Sequence, residues 1–205
     1  MKVGIIGCGM IGAKRAKAIG NSHELVAFCD VNADRAMVLA SVWGGVTFTD
    51  YREIINKANI DIFVISTVNN QLAPITLYAV QHGKHVIVEK PAGICSVELE
   101  PIIKEAKKNK VLVKVGFNHR YHPAMLKAKS IIDTGTTGEI MFIRGRYGHG
   151  GRLGYDKEWR ANTSLSGGGE TIDQGVHLID LARWYMGNFD EVIGFAEKYF
   201  WKNRL

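Results

Sequence analysis

The sequence predicts a doubly wound, parallel α/β domain over residues 1–118, followed by a partial α+β domain over residues 119–205. Three observations carry that reading. In the first part, segments that are apolar throughout alternate with amphipathic stretches, as strands buried on both faces of a parallel sheet do. The first such segment runs into Gly7-Cys8-Gly9-Met10-Ile11-Gly12, a glycine turn opening a helix. Beyond residue 118 the alternation stops, and residues 119–205 offer only two good strands.

Element by element, KVGIIG (2–7) reads as a strand and leads into a helix ending near Ile19. ELVAFCD (24–30) is the next strand. Asn32 caps the helix ADRAMVLASVW, which stops at Gly44-Gly45, and Asp50 with Glu53 forms a capping pair opening DYREIINK. DIFVIST (61–67) is a clear strand. The helix after it spans about 73–82, with Pro74 in its first turn and Gly83 ending it. KHVIVE (84–89) and VLVKVGF (111–117) are two more strands, with a helix starting near Pro101 between them. In the second part the helix HPAMLKAKSIID leads through Thr134-Gly135 to the strand EIMFIRGRY. A glycine-rich loop (148–169), the helix of GGGETIDQGVHLIDL (167–181) and the strand EVIGFAEKYF complete the chain. Two strands bury little by themselves. The aromatic run Tyr199-Phe200-Trp201 at a sheet edge calls for another subunit or more polypeptide to cover it, so the second domain reads as cut short.

Composition narrows the classes. With 46% hydrophobic and 22% charged residues in 205, the chain has an ordinary globular make-up. No apolar run approaches the roughly 18 to 20 residues that cross a bilayer. Too few residues precede Cys8 for a lipoprotein signal. Cys8, Cys29 and Cys95 are odd in number and lack metal-ligand spacing, which implies reduced thiols, no metal and a cytoplasmic setting. The net charge of +6 includes Lys104, Lys107, Lys108 and Lys110, but these sit at a helix end where cations suit the dipole. No nucleic-acid-binding motif accompanies them.

The glycine turn has a specific chemistry. Gly7 permits the tight turn, Gly9 lets a pyrophosphate approach the backbone, and Gly12 allows close helix–strand packing. With Met10 and Ile11 it places free N–H groups and a helix dipole at the phosphates of a dinucleotide. Asp30 ends the next strand, 18 residues beyond Gly12. A carboxylate there accepts from both ribose hydroxyls and repels a 2′-phosphate, so the expected cofactor is NAD in preference to NADP.

Lys90, in Glu89-Lys90-Pro91, stands at the carboxyl end of KHVIV, where open α/β sheets place their ligands. It could stabilise a developing alkoxide; on spacing alone it could equally be a surface lysine on a loop. Asp173 and His177 lie four residues apart on one side of a helix, a side that Asp180 and Trp184 continue. Ile172, Val176 and Ile179 make a second, apolar stripe that can face a core.

Four ordered motifs together resemble the Gfo/Idh/MocA family across essentially the whole chain. They are the amino-terminal GxGxxG, Glu89-Lys90-Pro91, Gly116-Phe117-Asn118-His119-Arg120-Tyr121, and GGGETIDQGVHLIDL. The resemblance implies a Rossmann domain followed by an open, mostly antiparallel sheet domain, and an NAD(P)-dependent oxidoreductase of sugars, cyclitols and related compounds. It further implies that Lys90, Asp173 and His177 form the catalytic group, with the proton taken by either Lys90 or His177. Thr67, Asn69, Glu89, Asn118, Trp159 and Arg160 are expected to reach the cofactor, although Trp159 and Arg160 also fit a packed tryptophan with a solvated arginine. Tyr121, His149 and Arg152 are candidates for contact with a small, sugar-like substrate. GHGGRLGYDKEWR has a weak likeness to members acting on nucleotide-linked sugars.

Two departures stand out. Thr67-Val68-Asn69-Asn70-Gln71-Leu72 replaces a motif that often reads Thr-Pro-Asn-x-x-His, and the chain lacks the further strands that complete the second sheet and build oligomers. The main expectation is a dehydrogenase acting as a homo-oligomer through that sheet. The alternatives are a non-catalytic NAD-binding regulator, such as a corepressor, or an inactive truncated product.

Overall fold

A computed structural model describes residues 1–20, 22–57, 59–148 and 153–197. Its contacts divide the chain into two units, Met1–Gly116 and Phe117–Leu205.

The first unit is one parallel sheet covered on both faces. Its strands are β1 (Lys2–Ile6), β2 (Glu24–Cys29), β3 (Val46–Phe48), β4 (Ile62–Ile65), β5 (His85–Val88) and β6 (Val113–Val115), in the order β3-β2-β1-β4-β5-β6. The helices are α1 (Met10–Ile19), α2 (Ala33–Trp43), α3 (Tyr51–Lys57), α4 (Asn69–Gln81) and α5 (Leu99–Lys108). Because strand side chains alternate between faces, the apolar runs feed two cores. Val3, Ile5, Leu25, Phe28 and Val64 pack with α1 and α2 on one side. Ile6, Ala27, Phe63, Ile65, Val86 and Val88 pack with α3 and α4 on the other.

Local signals largely fall where the residues place them. The Asn32 side chain accepts from Asp34 N at 3.0 Å at the start of α2, and Asp50 accepts from Arg52 N at 2.9 Å before α3. Two details differ. Helix α4 begins at Asn69, so Pro74 lies inside it and not in its first turn. Strand β3, three residues with Val46 55% exposed, has no counterpart in the sequence reading, because so short an edge strand leaves no periodicity to see.

The buried thiols permit a direct test of this core. Cys8 and Cys29 are buried, and Cys95 is exposed. Burial first, and the Asp30 carboxylate second, push both buried thiols up to about 12. Since the thiolate is the nucleophile, a neutral alkylating reagent should label Cys95 alone in the folded chain between pH 7 and 9. On thiolate fraction alone the others should react roughly a thousandfold more slowly. Equal labelling of all three thiols, counted by mass, would refute this packing.

In the second unit, the short 3₁₀ turn Asn118–Tyr121 precedes α6 (Pro123–Asp133). Single turns at Tyr155–Lys157 and Trp159–Ala161 and the short helix α7 (Thr163–Ser166) follow. A π-type turn, Thr171–Gly175, then runs directly into α8 (Val176–Met186). The two strands expected here do not form among the described residues: 139–148 and 191–197 carry no strand, and 198–205 lie outside the description. The reason is a lack of partners. An edge of N–H and C=O groups needs another strand, and Met141, Phe142, Val192 and Phe195 all stand exposed. The expected antiparallel sheet is thus absent from the described part of this unit.

Candidate active site

In the first unit, the glycine turn after β1 is held from three directions. Gly7 N donates to Cys29 O at 2.8 Å, Cys8 N donates to Asp30 Oδ2 at 2.8 Å, and Ser66 Oγ donates to Gly7 O at 2.7 Å. Gly7 has φ +91°, and a Cβ there would lie 2.6 Å from the Ser66 carbonyl. At Gly12 a Cβ would collide with Gly7 O. Gly9 is the opposite case, since a Cβ there would meet nothing within 4 Å. Two glycines therefore serve packing, and the third leaves open space in front of the first N–H groups of α1. That space suits a pyrophosphate.

Asp30 is buried, and its Oδ1 also accepts from Asn32 N at 2.9 Å. A carboxylate has about four acceptor positions, so two backbone bonds leave capacity for ribose hydroxyls. The residue both stitches the turn to β2 and offers the acceptor set that a dinucleotide needs.

The carboxyl ends of the strands bring other expected residues to the same edge. Thr67 follows β4, its Oγ1 donating to Val68 O at 3.3 Å, and buried Asn69 opens α4. Lys90 follows β5 and joins Pro91 through a cis peptide, and Ala92 N donates to Glu89 O at 3.0 Å to close the turn. Glu89, expected at the cofactor, pairs with Arg15 of α1, Nε to Oε1 at 2.5 Å. Its other oxygen stands 3.2 Å from where a Cβ on Gly116 would be. Met10 is 67% exposed at the helix start, beside half-buried Ile11. A cavity of about 520 Å³ near α5 and β6 is lined by Leu99, Ile102, Val113 and other chiefly apolar side chains, and by none of the residues expected at the cofactor or substrate.

In the second unit the two stripes of the helix after the glycines are buried unequally, with Ile172 and Val176 of the apolar stripe only half-buried. Asp173, His177, Asp180 and Leu181 form its buried side, while Ile179 is 44% exposed. The apolar stripe has no sheet to cover it among the described residues. The polar stripe is buried because it finds partners.

Asp173 Oδ2 receives three of them: Arg160 Nε at 3.3 Å, Gln174 Nε2 at 3.3 Å and Tyr155 OH at 3.4 Å. The Arg160 guanidinium lies 4.5 Å over the Trp159 ring and 3.5 Å from Glu158 Oε2. Burial, then the nearby Asp173 and Glu170 carboxylates, push the Tyr155 phenol up to about 12, so it remains a hydrogen-bond donor at neutral pH. His177 lies in an aromatic group. The His119 ring stacks on it with centroids 3.9 Å apart and planes 19° apart, Phe117 meets it edge-on at 6.1 Å, and Tyr147 lies 6.3 Å away. One turn on, Arg120 binds Asp180 through Nε at 2.7 Å and Nη2 at 2.5 Å, and lies 5.7 Å over the Trp184 ring. That hydrogen bond, ahead of simple charge attraction, raises the Arg120 pKa further.

Asn118 and Tyr121 sit exposed at the two ends of the 3₁₀ turn. His149 and Arg152 lie outside the described residues. Arg15, Ser66, His119, Arg120, Tyr147 and Tyr155 hold these sites together without being among the residues expected from the sequence. His119 and Arg120 were in view, inside the quoted Gly116–Tyr121 motif. For the others no local signal exists, since each acts on a residue far along the chain. Among the described residues, no group of three or more His, Cys, Asp or Glu side chains could hold a metal, and no helix is long and apolar enough to cross a membrane.

Comparison with known proteins now bears on these two sites. Residues 1–117 match a family model described as an oxidoreductase family, NAD-binding Rossmann fold, and residues 125–204 match the GFO/IDH/MocA C-terminal domain. Inositol 2-dehydrogenase of Salmonella paratyphi B is 28% identical over 91% of this chain and 54% of its own length. Glucose-6-phosphate 3-dehydrogenase of Bacillus subtilis is 32% identical over 92% of the chain and 54% of its length. Among solved structures, scyllo-inositol dehydrogenase of Lactobacillus casei, with bound NAD(H) and scyllo-inositol, superposes with a TM-score of 0.81. It is 27% identical, over 91% of this chain and 56% of the other. The chain spans about half the length of the curated relatives it matches.

Proposed function

This chain belongs to the Gfo/Idh/MocA oxidoreductase family, and on that premise we propose that it is an NAD-dependent dehydrogenase. The substrate class is a secondary hydroxyl of a sugar, a cyclitol or a nucleotide-linked sugar. One observation carries the proposal: the helix after the glycines buries Asp173 and His177, and leaves Ile179 exposed. A helix serving packing alone would do the reverse.

Residues 1–118 act as the cofactor domain. Gly9 and the start of α1, in the turn that Gly7 and Gly12 shape, would hold the pyrophosphate, Asp30 would hold the ribose, and Thr67, Asn69 and Lys90 would line the nicotinamide end. A nicotinamide held there would supply the hydride acceptor or donor. Residues 119–205 act as part of the substrate domain. In the oxidation direction neutral His177 takes the hydroxyl proton, Lys90 stabilises the substrate oxygen, and Asp173, pinned by Arg160, Tyr155 and Gln174, orients the substrate. Trp159 and Arg160 act through Asp173. The exposed segments 139–148 and 191–197 join an antiparallel sheet with further strands or a second copy.

Those exposed apolar segments favour a second reading, a non-catalytic NAD-binding regulator or an inactive product. Turnover separates the two. Purified chain is assayed with NAD against inositols, levoglucosan and glucose 6-phosphate, alongside native mass spectrometry with NAD and NADP. A discrete oligomer that retains NAD and oxidises one of these supports the enzyme; NAD retention without turnover on any supports the regulator.

Cofactor choice has its own expected outcome. Losing the acceptor at Asp30 forfeits hydrogen bonds of about 1.5–3 kcal/mol, so Asp30→Ala should weaken NAD binding roughly 10- to 100-fold in titration calorimetry. It should narrow the preference over NADP as well. Tighter binding of NADP than NAD by the unaltered chain would overturn the role given to Asp30.

A further inference from the structure

The residue stacked on His177 is itself a histidine. We propose that His119 is a positioning residue for the reaction, acting through His177; the inference rests on His177 being the base. The His119 ring covers one face of the His177 imidazole at 3.9 Å and nearly parallel, while Phe117 stands edge-on to it. A ring so bounded cannot rotate freely, so its nitrogens keep one plane of approach, and proton transfer needs only that plane. Alignment of this kind is what a positioned base requires.

The second ring does more than a phenyl would. Two imidazoles at this separation resist carrying two positive charges, because like charges a few ångströms apart disfavour joint ionisation. His177 is 5% exposed and His119 is half-buried, so the first proton settles on the better solvated His119. Protonating His177 is then opposed, and it stays neutral, able to accept a proton, at a pH where an isolated imidazole would be substantially charged. Other ionisable groups on the packed elements include Glu170, Asp173 and Asp180 of the same helical run, Arg160 and Tyr155 on Asp173, Arg120 beside His119, and Tyr147. Arg120 is neutralised by Asp180, so it does not replace the effect of His119.

The proposal separates shape from charge. His119→Phe keeps a ring over His177 and removes the second charge, and His119→Ala removes both. The first readout is the proton-resonance titration of His177 Cε1–H in the unliganded 205-residue chain, assigned by its loss in His177→Gln. In His119→Phe the His177 titration should move to higher pH by about one unit or more. In His119→Ala the resonance should also lose its upfield ring-current shift. With turnover, the acid limb of kcat/KM should move to higher pH in the Phe variant, while kcat at pH 8 falls roughly 10-fold in the Ala variant and recovers with Phe. Coincident His177 titrations in the unaltered and Phe chains would overturn the inference, even if the Ala variant fails to fold. Because the resonance needs no turnover, it is separate from the premise, which fails if His177→Ala keeps full activity.

Discussion

Alanine at His177 should lower kcat by roughly 10²- to 10⁴-fold, the usual contribution of a positioned general base, and leave NAD affinity nearly unchanged. The expectation follows from where the residue sits. His177 lies on α8 in the second unit, while the glycine turn and Asp30 lie in the first. A change confined to the imidazole therefore removes proton transfer without touching the phosphate or ribose contacts. Lys90→Ala is the companion experiment, with a loss of roughly 10²- to 10³-fold, as for removal of one hydrogen-bond donor to a developing oxyanion. Steady-state kinetics with calorimetric NAD binding decides both. Parallel losses of kcat and NAD affinity at His177 would mean that the ring holds structure; undiminished turnover in both variants would dismantle the assignment.

The second large effect is expected from a single methyl group. Gly12→Ala puts a Cβ into the carbonyl oxygen of Gly7. That oxygen is backbone and is held by Ser66 Oγ at 2.7 Å, so it cannot swing aside as a flexible side chain would. Forced overpacking costs about 1–3 kcal/mol or more, and here the relief would push α1 away from β1 and dismantle the turn. Chemical denaturation should show that loss of stability, and NAD binding should fall below detection. Gly9→Ala is the matched control: with no atom within 4 Å of its Cβ, it should fold normally and lose NAD affinity only. If both variants were stable and bound NAD, the phosphate site would lie elsewhere.

Much of the first unit was legible because its signals are local. A strand apolar throughout, a glycine turn and an Asn or Asp cap each sit within a few residues of the feature they specify. Gly7, Gly9, Gly12 and Asp30 could be singled out for that reason, as could the position of Lys90 at the end of β5. What stayed hidden was set by contacts across long stretches of chain. The Arg15–Glu89 pair joins residues 74 apart and Ser66–Gly7 joins residues 59 apart, and neither leaves a trace in spacing. The second unit misled more, because helical periodicity reports two faces without saying which is buried. Partners decided it: Arg120, Tyr155 and Arg160 come from segments with no periodic pattern, and they draw Asp173 and Asp180 inward. The apolar character of 139–147 and 191–197 suits strands, but a strand also needs a neighbour to bond with.

Three long-range ties, two to the glycine turn and one to α1, have a consequence for how the first unit folds. The turn spans only a few residues, yet Asp30, Ser66 and Glu89 are tied to it or to α1 over separations of 22, 59 and 74 residues. Each closure spans a longer loop than the one before, so a turn that is short in sequence is among the last features to acquire its final geometry. Nucleotide added during refolding should then raise the stability of the finished domain by mass action and slow its unfolding. It should scarcely quicken the early steps, because the turn it grips has not yet been assembled.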